Sequence, residues 1–330
     1  MHYAVYHMNF LQAFVIGLLQ GVTELFPISS LGHTVLVPSW IGGSWATLVR
    51  QESSAESPYL AFVVGLHLAT AVVLLGFYFR EWVRVVRGFF TSLLRRKAVS
   101  DQERLSCFIV IATVPVGALG IIFEHQFRTL FAKPLAAAIF LMVNGLILAA
   151  GEVFRRRGIG TPGESIQAPE VAPVGLTDHS ASRLARSWRD ERIVPMDAEG
   201  EHALASVGYL SAVVIGASQA LALLAGISRE GVAMVGGLFR GLDNENALRF
   251  SFLLSTPVIF AAGLLKVPDL LGSLGNGIRG QVIVGSLAAA ASSLCAIIFL
   301  SRYFKTRTLV PFAAYSLAFG FASVIRFGVF

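Results

Sequence analysis

The chain has 330 residues, 55% of them hydrophobic and 14% charged, with a net charge of +6 and a mean hydropathy of +0.69. An ordinary soluble domain carries about 25% charged residues, so a water-soluble globular protein is excluded. The basic residues cluster beside apolar runs, which removes nucleic-acid binding as an explanation of the charge. The two cysteines, Cys107 and Cys295, show neither disulfide nor metal-ligand spacing.

Met1–Asn9 lacks a basic start and the next apolar run leads straight into QGVTE, so no cleavable leader is expected. Residues 9–26 are a short apolar piece that stops at the break FPISSLGH and resumes over 34–49. Such breaks at membrane depth are tolerated only where the backbone lines a cavity or is buried in protein, so a re-entrant hairpin is predicted. The runs 61–80, 107–123 and 134–153 approach the length of about 20 residues that crosses a bilayer core. Residues 80–104 read as a basic loop, with Arg80, Arg84, Arg87, Arg95, Arg96, Lys97 and Arg104. The polar segment 158–203, rich in Pro, Gly and acidic residues, reads as a mobile insertion with a short helix near 181–192. A second interrupted pair follows at 207–224 and 231–241, then runs at 246–265, 281–300 and 309–328.

The predicted fold is therefore an all-α polytopic membrane protein with about six transmembrane helices and two re-entrant helix hairpins. Residues 1–154 form a first membrane repeat, 155–206 a polar insertion, and 207–330 a second repeat. With six spans, the basic segments at 80–104, 155–157 and 301–308 fall on one face, which the Lys/Arg rule makes cytoplasmic, with both termini outside. Gln20 and Ile28-Ser29-x-x-Gly32 recur at identical spacing as Gln219 and Ile227-Ser228-x-x-Gly231. The two hairpins then enter from opposite sides, giving an inverted-topology repeat whose broken helices meet near the midplane.

Charges at that depth are expensive, at about 2.5–3.5 kcal/mol each on insertion scales. Glu24 and Arg229 lie in the two breaks, where a simple ion pair would staple the repeats. The accompanying Thr23, Ser29, Ser30 and His33, with Ser228 and Glu230 beside Arg229, exceed what a staple needs. The set suits a phosphate: Arg229 supplies a planar fork of donors, and the turn GISREG runs into a helix N-terminus. Glu24 can hold a divalent cation through oxygen, His33 can act as acid or base, and the serines can be nucleophiles or donors. His67 lies within a span and either faces the cavity or makes a structural hydrogen bond. His2, His7, His125, His179 and His202 read as solvated.

QGVTELFPISSLGH resembles the (E/Q)GxTEFLPxSSxGH motif of the bacterial undecaprenyl-diphosphate phosphatases of the bacitracin-resistance type, and AGISREGVAMVGGL resembles their PGxSRSGxT motif. IATVPVGALGIIFE and ALRFSFLLSTPVI resemble two further stretches of that family. The resemblance implies a phosphatase in the bacterial cell membrane, sometimes dimeric, that takes an isoprenoid diphosphate lipid. Its site would open to the outer face and depend on a divalent cation, Mg²⁺ or Ca²⁺. It assigns Glu24, Ser30, His33 and Arg229 to catalysis and Gln20, Thr23, Ser29, Gly226, Ser228 and Gly231 to substrate binding. The cation would fall to Glu24, with Gln20 and Glu230 as further ligands. Ser30 is the nucleophile candidate, and direct attack by water stays open. Ala225, Glu230 and Ala233 depart from the second motif, and Glu230 either weakens the Arg229 clamp or adds a carboxylate to the cation site. A lipid-carrier transporter, or a homologue with a weakened site, are the rival readings.

Overall fold

The computed structural model describes residues 8–51, 58–131, 133–158, 198–272 and 275–328, all of whose regular structure is helical. Helix α1 (Phe10–Leu25) starts at a capping box, in which the Asn9 side chain accepts from the Gln12 amide and the Gln12 side chain accepts from the Asn9 amide. It stops because Phe26 precedes Pro27 and adopts an extended backbone. Helix α2 (Ser30–Ile41) returns and ends at Gly42, where φ is 78°. This corrects the expected second arm at 34–49. It begins four residues earlier, because Ser29 caps it, and the left-handed glycine separates off a short helix α3 (Gly43–Gln51).

Helices α4 (Pro58–Phe77), α6 (Asp101–Phe131) and α7 (Pro134–Arg156) carry the first three expected spans. Between them, 80–104 is not the expected loop. The chain bends by 85° at Tyr78 into a 17-residue helix α5 (Phe79–Arg95), whose periodicity had been obscured by its arginines. After α7 most of the insertion, including the expected helix near 181–192, lies outside the described residues. A short helix α8 (Ala198–Ala205) leads into α9 (Tyr209–Ser218), which tightens into a 3₁₀ turn at Gln219–Leu223. Helix α10 (Arg229–Phe239) completes the second hairpin, and α11 (Asn244–Leu271), α12 (Arg279–Tyr303) and α13 (Val310–Gly328) carry the last three spans. Among the described residues five helices are long and apolar enough by themselves to cross a membrane; the remaining expected span, 61–80, falls on α4, which passes that test together with α5 as a bent pair. The chain is an all-α polytopic membrane protein.

The halves pack reciprocally. Helix α1 of the first hairpin lies along α12 in the second half, and α9 of the second hairpin lies along α6 in the first. The pairs α4 with α11 and α7 with α13 close the bundle. Small residues let these backbones approach, as in other intramembrane helix pairs. A Cβ at Gly17 would sit 2.3 Å from the Gly285 carbonyl oxygen, and one at Gly21 would sit 2.2 Å from that of Ala289. Each hairpin is thus held by the opposite half, and that interlock brings the two breaks together.

Candidate active site

Ser29 and Ser228 do the same local work in the two breaks: each caps the following helix by accepting from the amide three residues on, Gly32 and Gly231 respectively. Ser29 does so at φ 71°, a conformation that disfavours a residue with a Cβ and marks a functional or over-determined site. Its neighbours hold it there. Its Oγ also accepts from the Gly226 amide at 3.1 Å, and its carbonyl oxygen lies 2.7 Å from His33 Nδ1. Gly226 has φ 114° and its Cβ would fall 2.4 Å from the Ala137 carbonyl oxygen, while a Cβ on Gly32 would be 2.8 Å from Gly226 Cα. The two glycines let the lips touch.

Asn144, fully buried in α7, ties them together. Its Nδ2 donates to the Pro27 carbonyl at 2.9 Å and, more weakly, to Ser316 Oγ at 3.4 Å, while its Oδ1 accepts from the Ser228 amide at 2.9 Å. One amide side chain therefore bridges both breaks.

The result is a small, partly open cleft lined by Glu24, Ser29, Ser30, Leu31, His67, Ala222, Ile227, Arg229 and Glu230. Ser30 and Leu31 open α2, and Arg229 and Glu230 open α10, so two helix N-termini converge on one small space. The first amides of a helix have no intrahelical acceptor and carry the positive end of its dipole, so this is an anion site by construction. At its centre the Glu24 carboxylate accepts from Ser30 Oγ and from Gln20 Nε2 at 3.1 Å. His67 Nε2 lies 3.2 Å away, and Arg229 stands 3.7 Å from the other oxygen. Glu24 is 4% exposed and Glu230 2%, so both carboxylates are out of bulk water. The Arg229 Nε and Nη1, Gln20 Oε1 and Glu230 Oε1 are buried with no hydrogen-bond partner among the described residues. Unpaired polar atoms at such depth are costly, and water, an ion or a ligand can satisfy them.

The structure brings together Gln20, Glu24, Ser29, Ser30, Arg229 and Glu230 as expected, and redistributes the rest. His33 is not placed against Ser30: its Nδ1 faces the Ser29 carbonyl and its Nε2 the Tyr315 hydroxyl at 2.8 Å, with the ring stacked on Tyr315 and Phe319. It positions Ser29 instead of lining the cleft. Thr23 donates to the Leu19 carbonyl of its own helix, and Ser228 reaches the Phe26 carbonyl, so neither hydroxyl faces a ligand. The Gly226 and Gly231 amides are taken by Ser29 and Ser228. The imidazole beside Glu24 is that of His67, which sequence reasoning weighed only as one of two alternatives. Asn144 and Tyr315 were missed. The available signal for Asn144 was a lone carboxamide inside the apolar run FLMVNGLIL.

The family model described as bacitracin resistance protein BacA matches residues 13–322. The chain is 51% identical to Undecaprenyl-diphosphatase 2 of Frankia alni over 98% of this chain and 100% of that one. It is 49% identical to Undecaprenyl-diphosphatase of Mycolicibacterium paratuberculosis, covering 97% of each chain. It is also 36% identical to Undecaprenyl-diphosphatase 2 of Chromobacterium violaceum, over 96% of this chain and 99% of the other.

Proposed function

This chain belongs to the bacitracin resistance protein BacA family, and we propose that it is an integral membrane hydrolase acting on undecaprenyl diphosphate. It releases undecaprenyl phosphate and inorganic phosphate, and so returns the lipid carrier to cell-wall synthesis and confers bacitracin resistance. The observation that carries this reading is the convergence of two helix N-termini, one guanidinium and a serine–carboxylate pair on a single cleft.

The amides opening α2 and α10 and the Arg229 fork hold the diphosphate, and the developing charge on the transferred group falls where these donors point. Ser30 Oγ already donates its proton to Glu24. As Oγ bonds to the terminal phosphorus, Glu24 takes that proton and the phosphoanhydride P–O bond breaks, with undecaprenyl phosphate leaving. Water then cleaves the serine phosphate, and inorganic phosphate departs. Gln20 and His67 orient Glu24, and Asn144 and His33 hold the serines and Arg229 in register.

The charge balance favours a divalent cation. Glu24, Glu230 and Arg229 line the cleft that would take an anionic substrate, two carboxylates against one guanidinium. The unpartnered Gln20 Oε1 and Glu230 Oε1 are oxygen donors of the kind Mg²⁺ or Ca²⁺ takes. Among the described residues no three His, Cys, Asp or Glu side chains form a metal cluster, so Glu24, Gln20 and Glu230 would share the ion with phosphate oxygens and water. When bound, it neutralises phosphate charge.

The protein sits in the bacterial cell membrane. We assign the basic ends of α4, α7 and α12 and the insertion to the cytoplasmic side and the cleft to the outer side, on the Lys/Arg distribution. The deciding experiment supplies the purified full chain with a long-chain isoprenyl diphosphate and Mg²⁺ and measures inorganic phosphate. Wild type releases phosphate, Glu24→Ala and Ser30→Ala each lower kcat by about 10³ or more, and Arg229→Ala impairs both kcat and KM. No release by wild type, or undiminished release by Glu24→Ala, overturns the proposal.

A further inference from the structure

We propose that α5 is an in-plane anchor that binds anionic phospholipid headgroups at one face of the bilayer, a role distinct from hydrolysis. The surface of α5 divides into three stripes. Glu81, Val85, Gly88 and Ser92, at steps of four, three and four, are buried. They seat the helix on α6: a Cβ at Gly88 would lie 2.7 Å from Ser106 Oγ, Gln102 Nε2 donates to the Arg84 carbonyl at 2.7 Å, and Ser92 Oγ is 3.3 Å from Cys107 Sγ. The helix is docked along one edge, and its direction is set.

A second stripe, Phe79, Val83, Val86, Phe90 and Leu93, is exposed throughout, from 39% at Val83 to 64% at Phe79, with Leu94 beside it at 85%. Among the described residues nothing covers it. The third stripe is Arg80, Arg84, Arg87 and Arg95, continued by Arg96 and Lys97 past the helix end. Arg84 pairs with Glu81 and Glu201, and Arg95 with Glu103. Among the described residues Arg80, Arg87, Arg96 and Lys97 have no carboxylate partner, and all are exposed. Six basic residues stand against a single acid, Glu81, between Phe79 and Lys97.

The 85° bend from α4 turns this helix from the direction of a span to the direction of the bilayer plane. An in-plane helix with one apolar stripe and one basic stripe buries the first at the acyl boundary and snorkels the second to the headgroups. The apolar stripe alone accepts any lipid. The four unpaired cations select anionic headgroups, because each such charge at a negative surface biases the local population about fivefold.

The test uses Trp82, which lies on α5 between the buried and apolar stripes. With Trp40, Trp45 and Trp188 changed to Phe, Trp82 is the sole fluorophore. The full chain is placed in nanodiscs holding equal fractions of brominated phosphatidylglycerol or brominated phosphatidylcholine. The expected result is that the brominated phosphatidylglycerol quenches Trp82 as phosphatidylcholine does at about fivefold higher fraction. The preference vanishes in R80Q/R87Q/R96Q/K97Q and fades in high salt. Phosphate release by this variant in detergent stays unchanged, which certifies its fold. Equal quenching by the two lipids in the wild-type surface overturns the proposal, as does a preference that survives the four substitutions. Neither outcome depends on hydrolysis.

Discussion

Replacing Asn144 by Leu tests whether one buried carboxamide sets the geometry of both lips. The substitution keeps the approximate volume and removes two well-formed hydrogen bonds, each of 2.9 Å, leaving the Pro27 carbonyl and the Ser228 amide buried without partners. Each orphaned group costs about 1–3 kcal/mol in a protein interior, whereas intramembrane hydrogen bonds average nearer about 0.6 kcal/mol. For the two groups together the expected destabilisation is therefore about 1–6 kcal/mol. Activity falls further than stability, because Pro27 leads into Ser29–Ser30 and Ser228 precedes Arg229. A displacement of about 1 Å between nucleophile and phosphate clamp costs about 10²-fold in rate. The assay is phosphate release with the folded fraction measured in parallel by size exclusion and thermal scanning. Asn144→Asp keeps the acceptor for Ser228 and loses the donor to Pro27, so it isolates the first lip. If folded Asn144→Leu protein keeps kcat within about twofold of wild type, the lips are held by packing and the bridging argument is wrong.

His33→Ala, which frees the Ser29 carbonyl, should lower kcat by about 10–100-fold, well short of Glu24→Ala. Equal losses would restore His33 to direct catalysis. Gly32→Ala drives a Cβ to 2.8 Å from Gly226 Cα and should destabilise by about 1–3 kcal/mol with near-complete loss of turnover. A thermal midpoint and rate like wild type would show that the lips do not close as described. Glu230→Ser should raise the Mg²⁺ concentration needed for half-maximal thermal stabilisation and turnover severalfold. An unchanged titration places Glu230 outside the cation site. Chelation with EDTA should abolish phosphate release and lower the midpoint by mass action, and both should return on adding Mg²⁺.

Much of the fold was legible because apolar run length is a one-dimensional property: five of the six expected spans correspond to single helices of spanning length, and the sixth is the apolar arm of a bent pair. The break FPISSLGH announced a hairpin because Pro27 removes a donor and Gly32 removes a side chain, both local effects. Helix α5 was misread because its arginines were counted for topology and not placed on a wheel, although the four-three-four spacing of its apolar residues was available. The partners of His33 were hidden for another reason. Neighbours in sequence were taken as neighbours in chemistry, but a residue one turn into α2 points back at its own cap and outward to Tyr315, which lies 282 residues away.

By itself the sequence determined the membrane class, the two matching breaks and the presence of Glu24, Ser30 and Arg229 within them, because hydrophobicity and expensive buried charge are written residue by residue. Only the tertiary structure decided which groups meet. The strain at Ser29 and the passage of Asn144 between both lips arise from helices of the two halves docking together, and the approach of His67 to Glu24 from α4 docking on α1. Contacts between residues 84 and 117 positions apart depend on that docking and leave no periodic trace along the chain.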